Sequence, residues 1–170
     1  MSPAVVLVGP PGALTSETGR ELAARLGAPL ADTDEIVAAA AGKTVAEVFV
    51  DDGEPAFRDL ERRAVAGALD GHEGVLVLGS GAVMDPLTEQ ALTGHTVAFL
   101  DVSVGDAARR LGITGQRPAA LGNPRAQWLR LMERRRPVYE RVATVTVPTD
   151  GLDAAEVAAR VATALLEGPR

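Results

Sequence analysis

The sequence predicts an α/β domain built on a five-stranded parallel sheet with helices on both faces. Two observations carry that expectation. The runs at residues 5–8 and 75–78 are wholly apolar and that at 96–100 nearly so, as strands buried on both faces are. Each run ends in a turn signal and is followed by a helical pattern, and strands alternating with helices build a parallel sheet. A third observation places the functional end. Glycines and acidic residues gather just after the strands, at 9–16, 32–34 and 79–81, and open parallel sheets bind ligands beyond the carboxyl ends of their strands.

The elements follow in order. The strand at 5–8 is broken by Gly9-Pro10-Pro11-Gly12. Thr15 or Ser16 is placed to cap a helix whose stripe is Leu22, Ala23 and Leu26 and which Gly27 stops. A short strand at 29–31 leads into Asp32-Thr33-Asp34-Glu35 and a helix from Ile36 to near Gly42. Thr44 and Glu47 have capping-box spacing for a short helix over 44–50. A longer helix over 53–69 sets Phe57, Leu60, Ala64 and Leu69 on or near one face. The strand at 75–78 ends in Gly79-Ser80-Gly81, and a helix at 86–92 precedes the strand at 96–100. Ser103 caps a helix reaching Leu111, and residues 112–124, rich in Gly, Pro and Asn, are expected to form a mobile loop. An arginine-rich helix over 125–142 is expected to be interrupted or kinked near Pro137. A strand at 145–147 and a helix at 153–166 complete a single domain over 1–170, with no repeat or long linker.

Composition narrows the function. The 170 residues suffice for one compact core. The absence of cysteine excludes disulfides, thiolate metal sites and a cysteine nucleophile. A net charge of −6 argues against nucleic acid or an anionic membrane as partner. No apolar run approaches the roughly 20 residues that span a bilayer, and the N-terminus lacks a signal-peptide pattern, so the expected location is the cytoplasm. His72 and His95 fit neither a metal spacing nor a triad and read as surface residues. Lys43, the only lysine among 17 basic residues, sits in a turn and also reads as a surface residue.

The stretch 5–27 has the frame of a phosphate-binding loop, in which backbone N–H groups and a helix N-terminus converge on an anion. Its nucleotide-binding positions are Gly9, Gly12, Ala13, Leu14, Thr15, Ser16 and Glu17. The usual pattern G-x-x-x-x-G-K-[ST] wants glycine at 14 and lysine at 15. Leu14 puts a Cβ where the backbone must bend, Thr15 brings no positive charge, and Glu17 brings a negative one. Only Ser16 fits the pattern. Taken alone, Asp32 and Asp34 read as helix caps, the glycines after strands as turn formers, and Arg58, Arg117 and Arg136 as solvated arginines.

Taken together, these residues resemble shikimate kinase over nearly the whole chain. The matching pieces are the phosphate-loop frame, D-T-D at Asp32-Thr33-Asp34, G-E-x-x-F-R at Gly53 to Arg58, the G-x-G turn at Gly79 to Gly81, R-P at Arg117-Pro118, and R-x-P-x-Y at Arg135 to Tyr139. The high-arginine, high-alanine composition resembles the family's actinobacterial branch. The resemblance implies a P-loop kinase fold like that of the nucleoside-monophosphate kinases, with a substrate-binding region at about 32–62 and a lid at about 112–124. It also implies transfer of the γ-phosphoryl of ATP, with Mg²⁺, to the 3-hydroxyl of shikimate. Asp34 would bind the substrate hydroxyls and accept the proton. Arg58 and Arg136 would hold the carboxylate, with Gly79, Ser80 and Gly81 approaching the substrate. Arg117 would neutralise charge on the transferred group, Asp32 and Ser16 would serve Mg²⁺, and Arg110 would lie against adenine. The family precedent is a monomer.

The departures from the pattern cluster on the nucleotide side, while the substrate side is kept apart from Ser80, which replaces a glycine. The expectation from this asymmetry is a pseudoenzyme with a degenerate phosphate loop, which binds shikimate while its phosphoryl transfer is weak or lost and its affinity for ATP is reduced. The alternatives are a functional shikimate kinase with an atypical loop, a non-catalytic partner of an active paralogue, and a kinase for another cyclitol.

Overall fold

A computed structural model describes residues 2–113 and 122–168. Most of the expected loop at 112–124, with Arg117, lies outside the described residues. The strands are β1 (Pro3–Val8), β2 (Leu30–Asp32), β3 (Gly74–Val77), β4 (Val97–Asp101) and β5 (Val145–Pro148). The helices are α1 (Thr15–Leu26), α2 (Thr33–Ala41), α3 (Val45–Asp52), α4 (Glu54–Gly71), α5 (Pro86–Ala91), α6 (Val104–Arg110), α7 (Pro124–Val142) and α8 (Ala154–Glu167), with a 3₁₀ turn at Ala82–Met84. All strand pairs are parallel, in the order β2-β3-β1-β4-β5.

That order explains the apolar runs. β1 is the central strand, between β3 and β4, and its residues Val5, Val6 and Leu7 have no exposed surface. β3 and β4 carry Leu76 and Phe99, equally enclosed, because helices cover both faces of the sheet. α1 lies so close to the sheet that a Cβ at Gly19 would meet Val77 Cγ2 at 2.4 Å. A separate small cluster, Val37, Val48, Phe57 and Ala64, holds α2, α3 and α4 together beside the β2 edge. The capping boxes of α3 (Thr44 with Glu47) and α8 (Asp153 with Glu156) are both formed.

Two local expectations are corrected. α7 runs unbroken from Pro124 to Val142 with Pro137 inside it, so the proline removes one donor without ending the helix. Neither Thr15 nor Ser16 caps α1. Its N-cap is Leu14, which supplies no side-chain bond, while the Ser16 hydroxyl donates to Asp32 Oδ2 at 2.7 Å. Among the described residues, no helix is long and apolar enough to cross a membrane.

Candidate active site

The cleft begins where β1 stops. The next two glycines are dictated by contact. A Cβ at Gly9 would lie 2.8 Å from the Leu100 carbonyl oxygen, and one at Gly12 would lie 2.9 Å from Ala107 Cα, with φ already at +87°. The Ala13 N–H closes a turn on the Pro10 carbonyl. Leu14 then adopts φ 62°, ψ 33°, the left-handed conformation for which the pattern prefers glycine. The loop keeps its bend although a side chain sits there, at a cost of about 1–2 kcal/mol. The Thr18 N–H bonds the Leu14 carbonyl. That leaves the N–H groups of Thr15, Ser16 and Glu17 as first-turn donors without an intrahelical acceptor, at the positive end of a 12-residue helix. Thr15 folds back toward Gly9, and Glu17 is exposed.

A cleft of about 260 Å³ runs from this loop past Asp34 to Gly79 and Ser80, with Arg110 on its rim. Asp32, buried at the end of β2, caps α2 by accepting the Asp34 N–H at 3.0 Å. This turns Asp34 inward. A Cβ at Gly79 would lie 2.7 Å from Asp34 Oδ1 and 2.9 Å from Glu61 Oε2, so two carboxyls flank that glycine. The Gly79 N–H is itself held by Thr33 Oγ1. Burial pushes the Asp34 carboxyl above its ordinary range and the neighbouring Asp32 pushes it further, against the pull of Arg58. Burial likewise raises Glu61, opposed by its 2.7 Å bond to Arg58 Nη1.

Across the same turn the charge reverses. A Cβ at Gly81 would lie 2.8 Å from both terminal nitrogens of Arg58 and 3.0 Å from Arg135 Nη2. Arg58 extends from α4 beneath Phe57 and Phe49, its guanidinium carbon 5.2 Å and 6.0 Å from their ring centres. Arg135 donates to Ser80 Oγ at 3.1 Å, and the buried Tyr139, pushed up to about 12 by desolvation and so a fixed donor, holds the Ser80 carbonyl. Arg136, the expected partner of Arg58, is elsewhere. It forms a bidentate pair with Asp101, both bonds 3.0 Å. One residue along a helix turns a side chain by about 100°, which separates the two arginines. The arginine that opens R-x-P-x-Y is Arg135, so the motif contained the signal that its assignment to Arg136 missed. Glu61 and Phe49 were also missed. Glu61 sits three residues beyond Arg58, on the same helix face.

Arg110 closes the phosphate-loop end of the cleft. Its guanidinium donates to the Gly12 carbonyl, to Thr149 Oγ1 and to the Thr149 and Leu152 carbonyls. Lys43 pairs with Asp51 and Asp52, 3.4 Å and 2.8 Å away, and is absent from the cleft lining. Among the described residues, no group of three or more His, Cys, Asp or Glu could hold a metal ion.

The sequence model of the shikimate kinase family matches residues 11–166. The chain belongs to the shikimate kinase family. This family member is 46% identical over 168 residues to a shikimate kinase of Rhodococcus jostii, covering 98% of this chain and 100% of that one. It is 50% identical over 156 residues to a shikimate kinase of Streptomyces coelicolor, covering 92% and 91%. Among solved structures, the shikimate kinase of Acinetobacter baumannii in complex with shikimate superposes with a TM-score of 0.88 at 28% identity, covering 98% of this chain and 94% of that one. These relatives correct one expectation. Actinobacterial proteins this similar over nearly their full length are named shikimate kinases, which overturns the reading of a degenerate loop and a pseudoenzyme. The physical counterpart is the loop itself. Leu14 reaches the left-handed bend that glycine usually provides, and the first-turn amides remain available.

Proposed function

We propose that the protein is a working shikimate kinase, converting ATP and shikimate to ADP and shikimate 3-phosphate. The observation that carries this reading is the polarity of the turn at Gly79-Ser80-Gly81, with two carboxyls at one end and two guanidinium groups at the other. A ring acid bearing hydroxyls and one carboxylate matches that polarity. The solved A. baumannii relative is named as a complex with shikimate, which supports the same ligand here.

In this reading Arg58 and Arg135 grip the substrate carboxylate, and Asp34 receives the hydroxyl. Its raised affinity for a proton suits a general base. The hydroxyl oxygen forms a bond to the γ-phosphorus, the bond from that phosphorus to the β-bridging oxygen breaks, ADP leaves, and the proton passes to Asp34. The amides of Thr15, Ser16 and Glu17 receive phosphate oxygens. Ser16 and Asp32 suit Mg²⁺, because their 2.7 Å contact joins a hydroxyl and a carboxylate at the loop. The ion bound there would offset phosphate charge. Arg117, outside the described residues, takes by resemblance the role of neutralising the transferred group. The lid at about 112–124, the substrate region at about 32–62, action as a monomer and a cytoplasmic location belong to the same proposal.

The test is ³¹P NMR of purified protein with Mg-ATP and shikimate, beside an Asp34→Asn control for contaminating kinase. Shikimate 3-phosphate is expected from the first sample and not from the second. A spectrum showing only ATP from the unaltered protein would sink the reading.

A further inference from the structure

The phosphate loop is gripped from outside by two side chains that the phosphate-loop pattern does not contain. The indole N–H of Trp128, from α7, donates to the Pro11 carbonyl at 2.9 Å. Arg110 Nη1, from α6, donates to the Gly12 carbonyl at 3.0 Å. These are consecutive carbonyls. In a trans peptide the N–H points opposite to the C=O, and no cis peptide bond occurs among the described residues. Anchoring Pro11 C=O on Trp128 therefore fixes the direction of the Gly12 N–H, and anchoring Gly12 C=O on Arg110 holds the next peptide plane, whose Ala13 N–H closes the turn on the Pro10 carbonyl.

Both anchors are rigid. Trp128 is 8% exposed and packed in the main core. Arg110 is held at its other end by Thr149 and Leu152, on the loop after β5. The loop has particular need of support. It carries the only left-handed residue other than glycine among those described, Leu14. It also has Thr15 where a lysine would bind phosphate by charge, so well-aimed amides must do more.

We infer that Trp128 and Arg110 are positioning residues that clamp the Pro11 and Gly12 carbonyls, aim the Gly12 N–H and hold the bend that leads to the first-turn amides of α1, and so set the phosphate loop for nucleotide. The inference rests on the reading that this cleft takes Mg-ATP. Trp128 gives the cleaner test, because Arg110 is also expected against adenine. Titration calorimetry would compare the unaltered protein with Trp128→Phe, which keeps an aromatic ring and deletes the donor, using Mg-ADP and, separately, shikimate. The expected result is about fivefold weaker Mg-ADP binding, equivalent to about 1 kcal/mol at 1.4 kcal/mol per tenfold, with shikimate affinity within about twofold. Unchanged Mg-ADP affinity would overturn the clamp. So would a parallel loss of both ligands with a lowered Tm, which marks a purely structural role. Should the variant fail to fold, hydrogen exchange of the indole N–H of Trp128, the sole tryptophan, decides by NMR on the unaltered protein. Slower exchange with Mg-ADP and not with shikimate supports the clamp, and exchange at the rate of an unbonded indole with Mg-ADP bound overturns it. Absence of product from the unaltered protein would sink the kinase reading and leave these titrations to judge the clamp.

Discussion

At the residue scale, Asp34, the proposed general base, carries a stability cost. Its carboxyl and that of Glu61 are raised above their ordinary values of 3.8 and 4.5. The folded state therefore holds more protons than the unfolded chain in the window above those values, and stability falls as pH rises through it. Asp34→Asn is expected to raise Tm at neutral pH, flatten the loss of stability with rising pH above about 4, and lower turnover by at least about 10²-fold. Calorimetry across pH beside a turnover assay checks all three. The two neighbouring arginines separate just as sharply. Arg135→Ala should raise KM for shikimate by about 10–100-fold, the loss of a charged hydrogen bond worth about 1.5–3 kcal/mol. Arg136→Ala should leave KM nearly unchanged and cost at most about 1 kcal/mol, because its pair with Asp101 is half exposed. Equal effects of the two would refute the assignment. A neutral cyclitol binding as well as shikimate would likewise remove the role given to Arg58 and Arg135.

At the element scale, the strands and their parallel sheet follow from patterns visible in the chain, whereas strand order and loop conformation do not. The run Val5 to Val8 announces a strand buried on both faces because every position is apolar, and the Thr44–Glu47 spacing announces a cap that forms. Leu14 as the start of α1 was not legible, since helix-capping rules read side-chain oxygens and this cap is a backbone bend. Arg135 was legible as the first residue of R-x-P-x-Y, but its place beside Arg58, with Arg136 turned to Asp101, was not, because motifs fix spacing and only helix geometry fixes direction. Trp128 carried no readable signal, as its partner lies 117 residues away. Within α1, Thr18 has a buried hydroxyl with no partner. Thr18→Val keeps the shape and removes that desolvation cost, so stability should rise by about 1 kcal/mol, a Tm increase of about 2–4 °C. Gly12→Ala should do the reverse, losing about 1–3 kcal/mol to a positive φ and to the contact with Ala107, with KM for ATP rising.

At the scale of the whole molecule, the sheet gathers the cleft from distant parts of the chain. β1 supplies the loop, β2 the aspartates and β3 the glycine turn, all at their carboxyl ends. α4 and α7 bring Arg58 and Arg135 to the same glycine turn. Ligands should therefore stabilise the entire fold. At about 100 times its Kd, shikimate or Mg-ADP should add about 2.7 kcal/mol, raising Tm by about 5–10 °C. A thermal scan showing no shift with shikimate would contradict the cleft as its site.

The single lysine has a chemical consequence. Reagents that acylate amines, including acyl phosphates of nucleotides that tag lysines beside bound phosphates, would find no side-chain amine in this cleft. Lys43 is the one such target, and it is engaged by Asp51 and Asp52 outside the cleft lining. Exhaustive lysine acylation should therefore spare turnover, and the protein should be invisible to probes that depend on a phosphate-loop amine.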